Sequence, residues 1–198
     1  MGKCVTMITR HAHDLLGRVV DLPLEECTAI DMGCGVCNTP ISKQILTLPL
    51  KKLISVDMHI DSLDIMRRIK VNAQEHITYM ANFKIVPWLY SNEKPDIAFF
   101  IDSLEHLDKF DALSLLGDME RFVTRRILIW LPIGDCPQGE INDNKWQEHK
   151  GAWEVKELED LGYTVDYYPA FHRHFNPPVA AAWAVKDLQN EILTTECS

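Results

Sequence analysis

The sequence predicts an α/β fold: a single doubly wound, mostly parallel, seven-stranded sheet with helices on both faces and a C-terminal antiparallel hairpin. Two patterns carry this. Short continuous apolar runs, which suit strands buried on both faces, alternate with segments of helical periodicity. Repeated β-α-β units imply right-handed crossovers in one sheet. The last two strand-like runs break the alternation, because only about six residues separate them. A parallel crossover needs about a dozen, so these two strands are expected to pair antiparallel.

Residues 1–25 read as an N-terminal helical segment. Five strands follow, at CTAIDM (27–32), LISVD (53–57), HITYM (76–80), DIAFFI (96–101) and RILIWL (126–131). Thr39 is placed to cap the first crossover helix, with Pro40 in its favoured first position. Asp61 is placed to cap the second, with Leu63, Met66 and Ile69 on one face. After the fourth strand, Leu107, Phe110, Leu113, Leu116, Met119 and Phe122 recur at helical spacing. Val155, Leu158 and Leu161 mark another helix, and Gly162 ends it. The hairpin strands are YTVDYYPAF (163–171) and PVAAAWAVK (178–186). Residues 135–153 form a long loop carrying Trp146, His149 and Trp153. Ordered loops of that length in compact domains usually serve function, so this one is expected to be a lid.

The 198 residues are 46% hydrophobic and 25% charged, ordinary globular proportions that suit one domain. The net charge of −9 argues against broad binding of a phosphate backbone, so a nucleic-acid partner is not expected. No apolar run reaches the roughly 20 residues of a membrane helix. Gly2 and Thr6 fit a myristoylation pattern, and Cys4 could be palmitoylated. The bland reading, the start of a helix, is preferred. Six cysteines show no framework spacing, which points to reduced thiols in the cytoplasm. Cys34 and Cys37 form a CxxC with no second pair, and His172 and His174 form an HxH with no evident third ligand. No metal site is expected, and the HxH reads as surface histidines. Asn176-Pro177-Pro178 reads as a rigid hairpin turn.

The strongest local signal is AIDMGCGVCN, 29–38. A strand ends at Asp31 and Met32, Gly33 and Gly35 follow, and Thr39-Pro40 opens a helix. Glycines there let the backbone turn tightly and approach a ligand, and the helix N-terminus favours negative charge. Asp57 ends the second strand, 22 residues after Gly35, where a carboxylate can accept from ribose hydroxyls. Together these make a nucleoside site the favoured reading over a plain tight turn with a surface acid. A dinucleotide fingerprint would place a third glycine at 38, where this chain has Asn38. The acidic-x-G-x-G-x-G version fits Asp31, Gly33 and Gly35, with Cys37 in the last glycine's place.

At this point the chain resembles the class I S-adenosylmethionine-dependent methyltransferases, in the branch with an EHL segment after strand four. Further support comes from SVDMH (55–59), IDSLEHL (101–107), LPIG (131–134) and NKWQEHKGAW (144–153). The resemblance implies a Rossmann-like methyltransferase fold, S-adenosylmethionine as cofactor and S-adenosylhomocysteine as product. It puts Asp31, Gly33 and Gly35 at the methionine end, Asp57 on the ribose and Met58 against the adenine. Asn82 stands where the family often has an Asp for the adenine amine, and Asp102 joins the cofactor set.

Glu105 and His106 would lie on the acceptor side, with His149, Asn144 or Trp146 supplied by the lid. His106 has a suitable unperturbed pKa for a general base. Glu105 and His106 could equally well hold the turn after strand four. The acceptor is expected to be a small molecule. Two other classes remain: a nucleotide-dependent Rossmann oxidoreductase, which predicts a parallel sixth strand, and a noncatalytic S-adenosylmethionine-binding partner protein.

Overall fold

The computed structural model describes residues 11–86, 94–141 and 144–188. Seven strands form one sheet: β1 (Thr28–Met32), β2 (Lys52–Asp57), β3 (Glu75–Met80), β4 (Ile97–Ile101), β5 (Arg126–Ile133), β6 (Thr164–His172) and β7 (Val179–Asp187). Their order across the sheet is β3-β2-β1-β4-β5-β7-β6. The first five strands pair in parallel, while β7 runs antiparallel to both β5 and β6. The expected hairpin is therefore present. A parallel sixth strand, which an oxidoreductase-type sheet would carry beside the fifth, is replaced by β7.

Strand order decides where a ligand can sit. From β1 the chain winds outward through β2 to β3, then returns to place β4 on the other side of β1. Crossovers diverge at that switch point, and a crevice opens beyond the carboxyl ends of β1 and β4.

The apolar runs are continuous because both sheet faces are covered. Side chains alternate between faces along a strand. Ile30, Met32, Ile54, Val56, Ala98 and Phe100 share one buried cluster, which packs under α3 (Lys109–Phe122) and α4 (Val155–Asp160). Ala29, Leu53, Ile97, Phe99, Leu128 and Trp130 face the other way, against Leu15, Val19, Ile41 and Ile45. There the flanking elements are the N-terminal segment and α1 (Ser42–Ile45). The second crossover helix, α2 (Ile60–Met66), packs Leu63 and Met66 on Cys34 and Cys37.

Several local expectations meet the structure directly. Thr39 stands two residues before Ile41, the N-cap residue of α1, and closes the turn that leads into it: Ser42 N donates to Thr39 Oγ1 and Thr39 N to Ser42 Oγ, both at 3.1 Å. The α4 start is boxed in the same manner by Glu154 and Glu157, and Gly162 follows its end at φ +86°.

Other expectations are corrected. The α2 helix begins earlier than Asp61: His59 is its N-cap residue, and Asp61 lies within the first turn. In α3 the buried residues are Ala112, Leu115, Leu116, Met119 and Phe122, while Phe110 is 81% and Leu113 39% exposed. The described part of the N-terminal segment holds only two single 3-10 turns, Leu16–Arg18 and Leu24–Glu26. Gly2, Cys4 and Thr6 lie outside the described residues. No described helix is long and apolar enough to cross a membrane. Cys27, Cys34, Cys37 and Cys136 are free thiols.

Candidate functional site

The glycine turn after β1 is tied to β2 by its backbone. Gly33 N and Cys34 N both donate to Val56 O, and Gly35 N donates to Asp57 Oδ2 at 2.8 Å. The other Asp57 oxygen accepts from His59 N at 2.7 Å. Asp57 thus holds the turn as well as facing the crevice. A carboxylate has about four acceptor positions, so two such bonds leave room for ribose hydroxyls.

Gly33 lies at φ +80°, and a Cβ on it would come within 2.7 Å of Ser103 Cβ. No other residue fits there without displacing the start of the β4 exit. Gly35 differs, because nothing lies within 4 Å of the Cβ it lacks. Its hydrogen side opens on empty space, which is room for a ligand. Cys37, in the last glycine's place, keeps the glycine-like conformation at φ +46°. Asp102 is the other non-glycine residue at positive φ, +49°, among the described residues. Such strained positions cluster at functional sites.

One cavity of about 180 Å³ gathers most of the expected residues. Gly33, Gly35, Asp57, Met58 and Asn82 line one side, and Asp102 and His106 line the other. Phe83, Ser103, Leu107, Asp108 and Asp111 complete the wall, and Trp146, Gln147 and Lys150 cover it from the long loop. A second cavity of about 340 Å³ lies on the far side of the glycine turn, sharing Gly33, Gly35, Asp102 and Gln147 with the first. Asn144 borders that one. Ser103 Oγ is buried without a hydrogen-bond partner. An orphaned hydroxyl, an open Gly35 and a ribose-ready carboxylate around one cavity fit an adenosyl cofactor.

Three expected site residues do not line the first cavity. Asp31 is 2% exposed and sits beneath the glycine turn, where the Cys37 thiol donates to it. Burial, and then the nearby Asp57 charge, push its pKa up to about 7 against the pull of that thiol. Glu105 is 1% exposed, and burial followed by repulsion from Asp102 holds its carboxyl well above the usual range. Its Oε2 has no hydrogen-bond partner. His149 lies behind His106, the two rings meeting edge to face at 4.8 Å. Burial alone raises Asp102 to about 7.

Both histidines are held in one tautomer. His106 Nδ1 faces Glu148 O at 3.2 Å, and His149 Nδ1 faces Cys136 O at 2.6 Å. A carbonyl only accepts, so each Nδ1 is the donor in its bond. Burial brings the His106 pKa down to about 4, despite the Glu148 hydrogen bond. The unperturbed value behind the general-base expectation is therefore not what this environment provides. A conjugate acid near 4 makes a weak base at neutral pH. One donor atom from each of Glu105, His106 and His149 lies within 4.8 Å of the others, so the structure brings together a possible metal-ligand set where none was expected.

The 135–153 loop folds over the site and is pinned along its second half. Lys150 N and Gly151 N both donate to Glu105 O, at 2.8 and 3.0 Å. Gly134 pairs with Trp153, whose side chain is fully buried. His174 is exposed as expected for a surface histidine, but His172 is not: it is half-buried, its Nε2 is buried without a partner, and Phe171, His174 and Phe175 pack against it.

Sequence reasoning missed Phe83, Ser103, Gln147, Lys150, Asp108 and Asp111. Phe83, Ser103, Gln147 and Lys150 directly follow flagged residues, so their signal was adjacency. Nothing in the local pattern points to Asp108 or Asp111.

No family model and no curated protein matches the chain. Solved structures do match in fold. TehB from Haemophilus influenzae aligns with TM-score 0.64 and 14% identity, over 94% of this chain and 64% of that one. A magnesium protoporphyrin IX methyltransferase (ChlM) from Synechocystis PCC 6803, solved with bound SAH, aligns with TM-score 0.61 and 11% identity, over 90% and 82%. The small RNA methyltransferase HEN1 aligns with TM-score 0.57 and 16% identity, over 80% of this chain and 23% of that one. The chain thus spans under a quarter of the HEN1 chain. At these identities the likeness is one of fold: this sheet is the Rossmann-like sheet of methyltransferases.

Proposed function

We propose that the protein is an S-adenosylmethionine-dependent methyltransferase acting on a small-molecule acceptor. The observation that carries this is the cavity in which Gly33, Gly35 and Asp57 meet Asp102 and His106 at the switch point of the sheet. The methyltransferase fold of the neighbours supports the same reading.

When bound, the cofactor supplies a methyl group already activated by a sulfonium. What remains for the chain is to hold, orient and dry the reactants. Asp57 accepts from the ribose, with Met58, Asn82 and Phe83 around the adenine. Gly33, Gly35 and Ser103 hold the methionine end, and the carboxyls of Asp102 and the buried Asp31, both raised toward 7 chiefly by burial, ionise when its cationic groups arrive. His106 stands between cofactor and acceptor. Trp146, Gln147 and Lys150 cover the site and exclude water. Asp108 and Asp111 make the rim acidic, which with a net charge of −9 disfavours a polyphosphate acceptor.

Calorimetry with S-adenosylmethionine, S-adenosylhomocysteine and NAD is the direct test. Binding of the first two and not the third is expected. NAD binding alone would replace this reading with the oxidoreductase one. Methylation of an RNA in preference to every small molecule tried would overturn the acceptor class.

A further inference from the structure

We propose that the methyl acceptor carries an alkylammonium group, which docks among Asp108, Asp111 and Trp146 at the mouth of the first cavity. This names the acceptor class for the proposed transfer reaction and rests on that reading.

The charge around the cavity is one-sided. Four carboxyl groups line it, those of Asp57, Asp102, Asp108 and Asp111, against one ammonium, that of Lys150. The cofactor brings a sulfonium and an ammonium with a single carboxylate. The loaded site therefore keeps an excess of negative charge, which suits a cationic partner. Asp57 and Asp102 belong to the cofactor half, Asp57 also bracing Gly35 N and His59 N. Asp108 and Asp111 face the acceptor from the start of α3.

Acids are ordinary at a helix N-terminus, where they bond the free amides. Asp108 is the N-cap residue of α3, yet its side chain makes no capping bond. Its carboxylate lines the cavity instead. The cation between the two acids in sequence is engaged elsewhere. Lys109 Nζ bonds Glu157 Oε2 at 3.0 Å and lies 3.7 Å from the centre of the Trp153 ring. Trp146 closes the same cavity from the long loop, and Lys145 Nζ lies 5.0 Å from its ring centre. A ring that draws its chain neighbour's ammonium presents the same negative face to a ligand's. A separate observation points to a polar ligand in this space. Ser103 lines the cavity at 2% exposure, and its Oγ has no hydrogen-bond partner.

The anchored ammonium is not the nucleophile, because neighbouring carboxylates hold its proton on it. A second heteroatom of the acceptor takes the methyl group. Its lone pair forms the bond to the methyl carbon, the C–S bonding pair returns to sulfur, and its proton leaves to water. The acceptor class is thus an amine with a second nucleophilic group, a diamine or an amino alcohol.

The test uses probes of one skeleton that differ only at the anchor: 5-amino-1-pentanol, 1,5-pentanediol and 5-hydroxypentanoate. Each is titrated into the protein saturated with S-adenosylhomocysteine and followed by ligand-observed NMR. The amine should bind about tenfold tighter than the diol, and the carboxylate weakest. The preference should shrink as salt rises. Asp108→Asn combined with Asp111→Asn should bring amine and diol within about threefold of each other, and Trp146→Leu should narrow the gap in part. Asp118→Asn, an acid farther along α3 and outside the cavity, should leave the preference as it is. Equal binding of the three probes by the wild type, a preference that survives the double substitution, or an equal loss in Asp118→Asn would each overturn the proposal. The wild-type comparison decides even if a variant fails to fold. S-adenosylhomocysteine binding without an ammonium preference removes this proposal and leaves the transferase reading standing. Failure to bind S-adenosylhomocysteine removes the transferase reading, and the acceptor role with it.

Discussion

The two halves of the crevice are built by different means. Over β1 and β2, the site is backbone and short side chains fixed by the end of the adjacent strand. Gly33 N and Cys34 N hang from Val56 O, and Gly35 N hangs from Asp57. Beyond β4, the site exists only because a distant loop arrives. His106 bonds to Glu148, 42 residues along the chain, and Glu105 O receives two amides from the same loop. The first half is a property of strand ends in any sheet of this order. The second is a property of how this loop packs, and it can change while the fold stays the same.

The largest expected effect tests the first half. In Gly33→Ala the new Cβ meets Ser103 Cβ at 2.7 Å, at a φ of +80° that alanine resists. Overpacking and backbone strain together should cost about 2–4 kcal/mol of stability. Cofactor binding should be abolished, because Ser103 is pushed into the cavity it lines. Denaturant unfolding and calorimetry with S-adenosylhomocysteine measure both. Retained binding would show that the turn is adaptable and the contrast between the halves overdrawn.

Next is Asp57→Ala, which removes the ribose acceptor and the brace of Gly35 N together. Affinity for S-adenosylhomocysteine should fall by about 1–3 kcal/mol. The β4 side should not notice: the His106–Glu148 hydrogen bond and the loop contacts share no partner with Asp57. Unchanged affinity would remove Asp57 from the site.

That difference in construction explains what was legible. All seven strands, their alternation and the closing hairpin were readable, because burial on both faces writes itself as apolar runs. The cofactor half was readable since each residue stands at a strand end the runs had located. Asp31 was assigned to the turn, and its side chain lies buried beneath it. Strand pattern gives the position of a side chain along β1, not whether the turn closes over it.

The spacing that marks α3 as a helix does not by itself give its buried face. Positions every three residues drift by roughly 60° per step around a helix of 3.6 residues per turn. Leu107, Phe110, Leu113, Leu116, Met119 and Phe122 therefore could not share one face, and Phe110 and Leu113 turn outward. Glu105, His106 and His149 were each expected on the acceptor side, but not their meeting in one cluster. It depends on a loop docking that no local periodicity encodes.

A smaller effect concerns the charge beneath the turn. Asp31 has a folded pKa near 7 against an ordinary value of 3.8. Its native state keeps a proton that the unfolded chain releases. Stability from this group is full below about pH 4 and is lost as pH rises through 7. Between pH 5 and 8 the loss should be on the order of 2 kcal/mol. The lowered pKa values of His76, His106, His149 and His172 act in the opposite sense, removing stability as pH falls below their ordinary 6.5. The informative quantity is thus the difference between the wild type and Asp31→Asn in urea unfolding at the two pH values. The variant should gain on the wild type as pH rises. A constant difference would place the proton elsewhere in the turn.

The smallest expected effect lies within the loop over the acceptor half. Its second part is bonded to the body of the domain through Lys150 N and Gly151 N on Glu105 O, and His149 N ties it back to Gln138 O within the loop. Its first part makes shorter-range bonds, such as Trp146 N to Asn144 Oδ1. Local opening should therefore be graded along the loop and not uniform. Amides 149–151 should exchange slowly even without ligand. Amides 144–147, where Trp146 and Gln147 cover the cavity, should slow several-fold only when S-adenosylhomocysteine and an acceptor are bound. Equal protection throughout in both states would make the loop a fixed wall. A uniform change across 135–153 would instead make it a rigid lid hinged at Gly134 and Trp153. In that case the clamp on Glu105 opens on each cycle, and the acceptor half is assembled anew for every substrate.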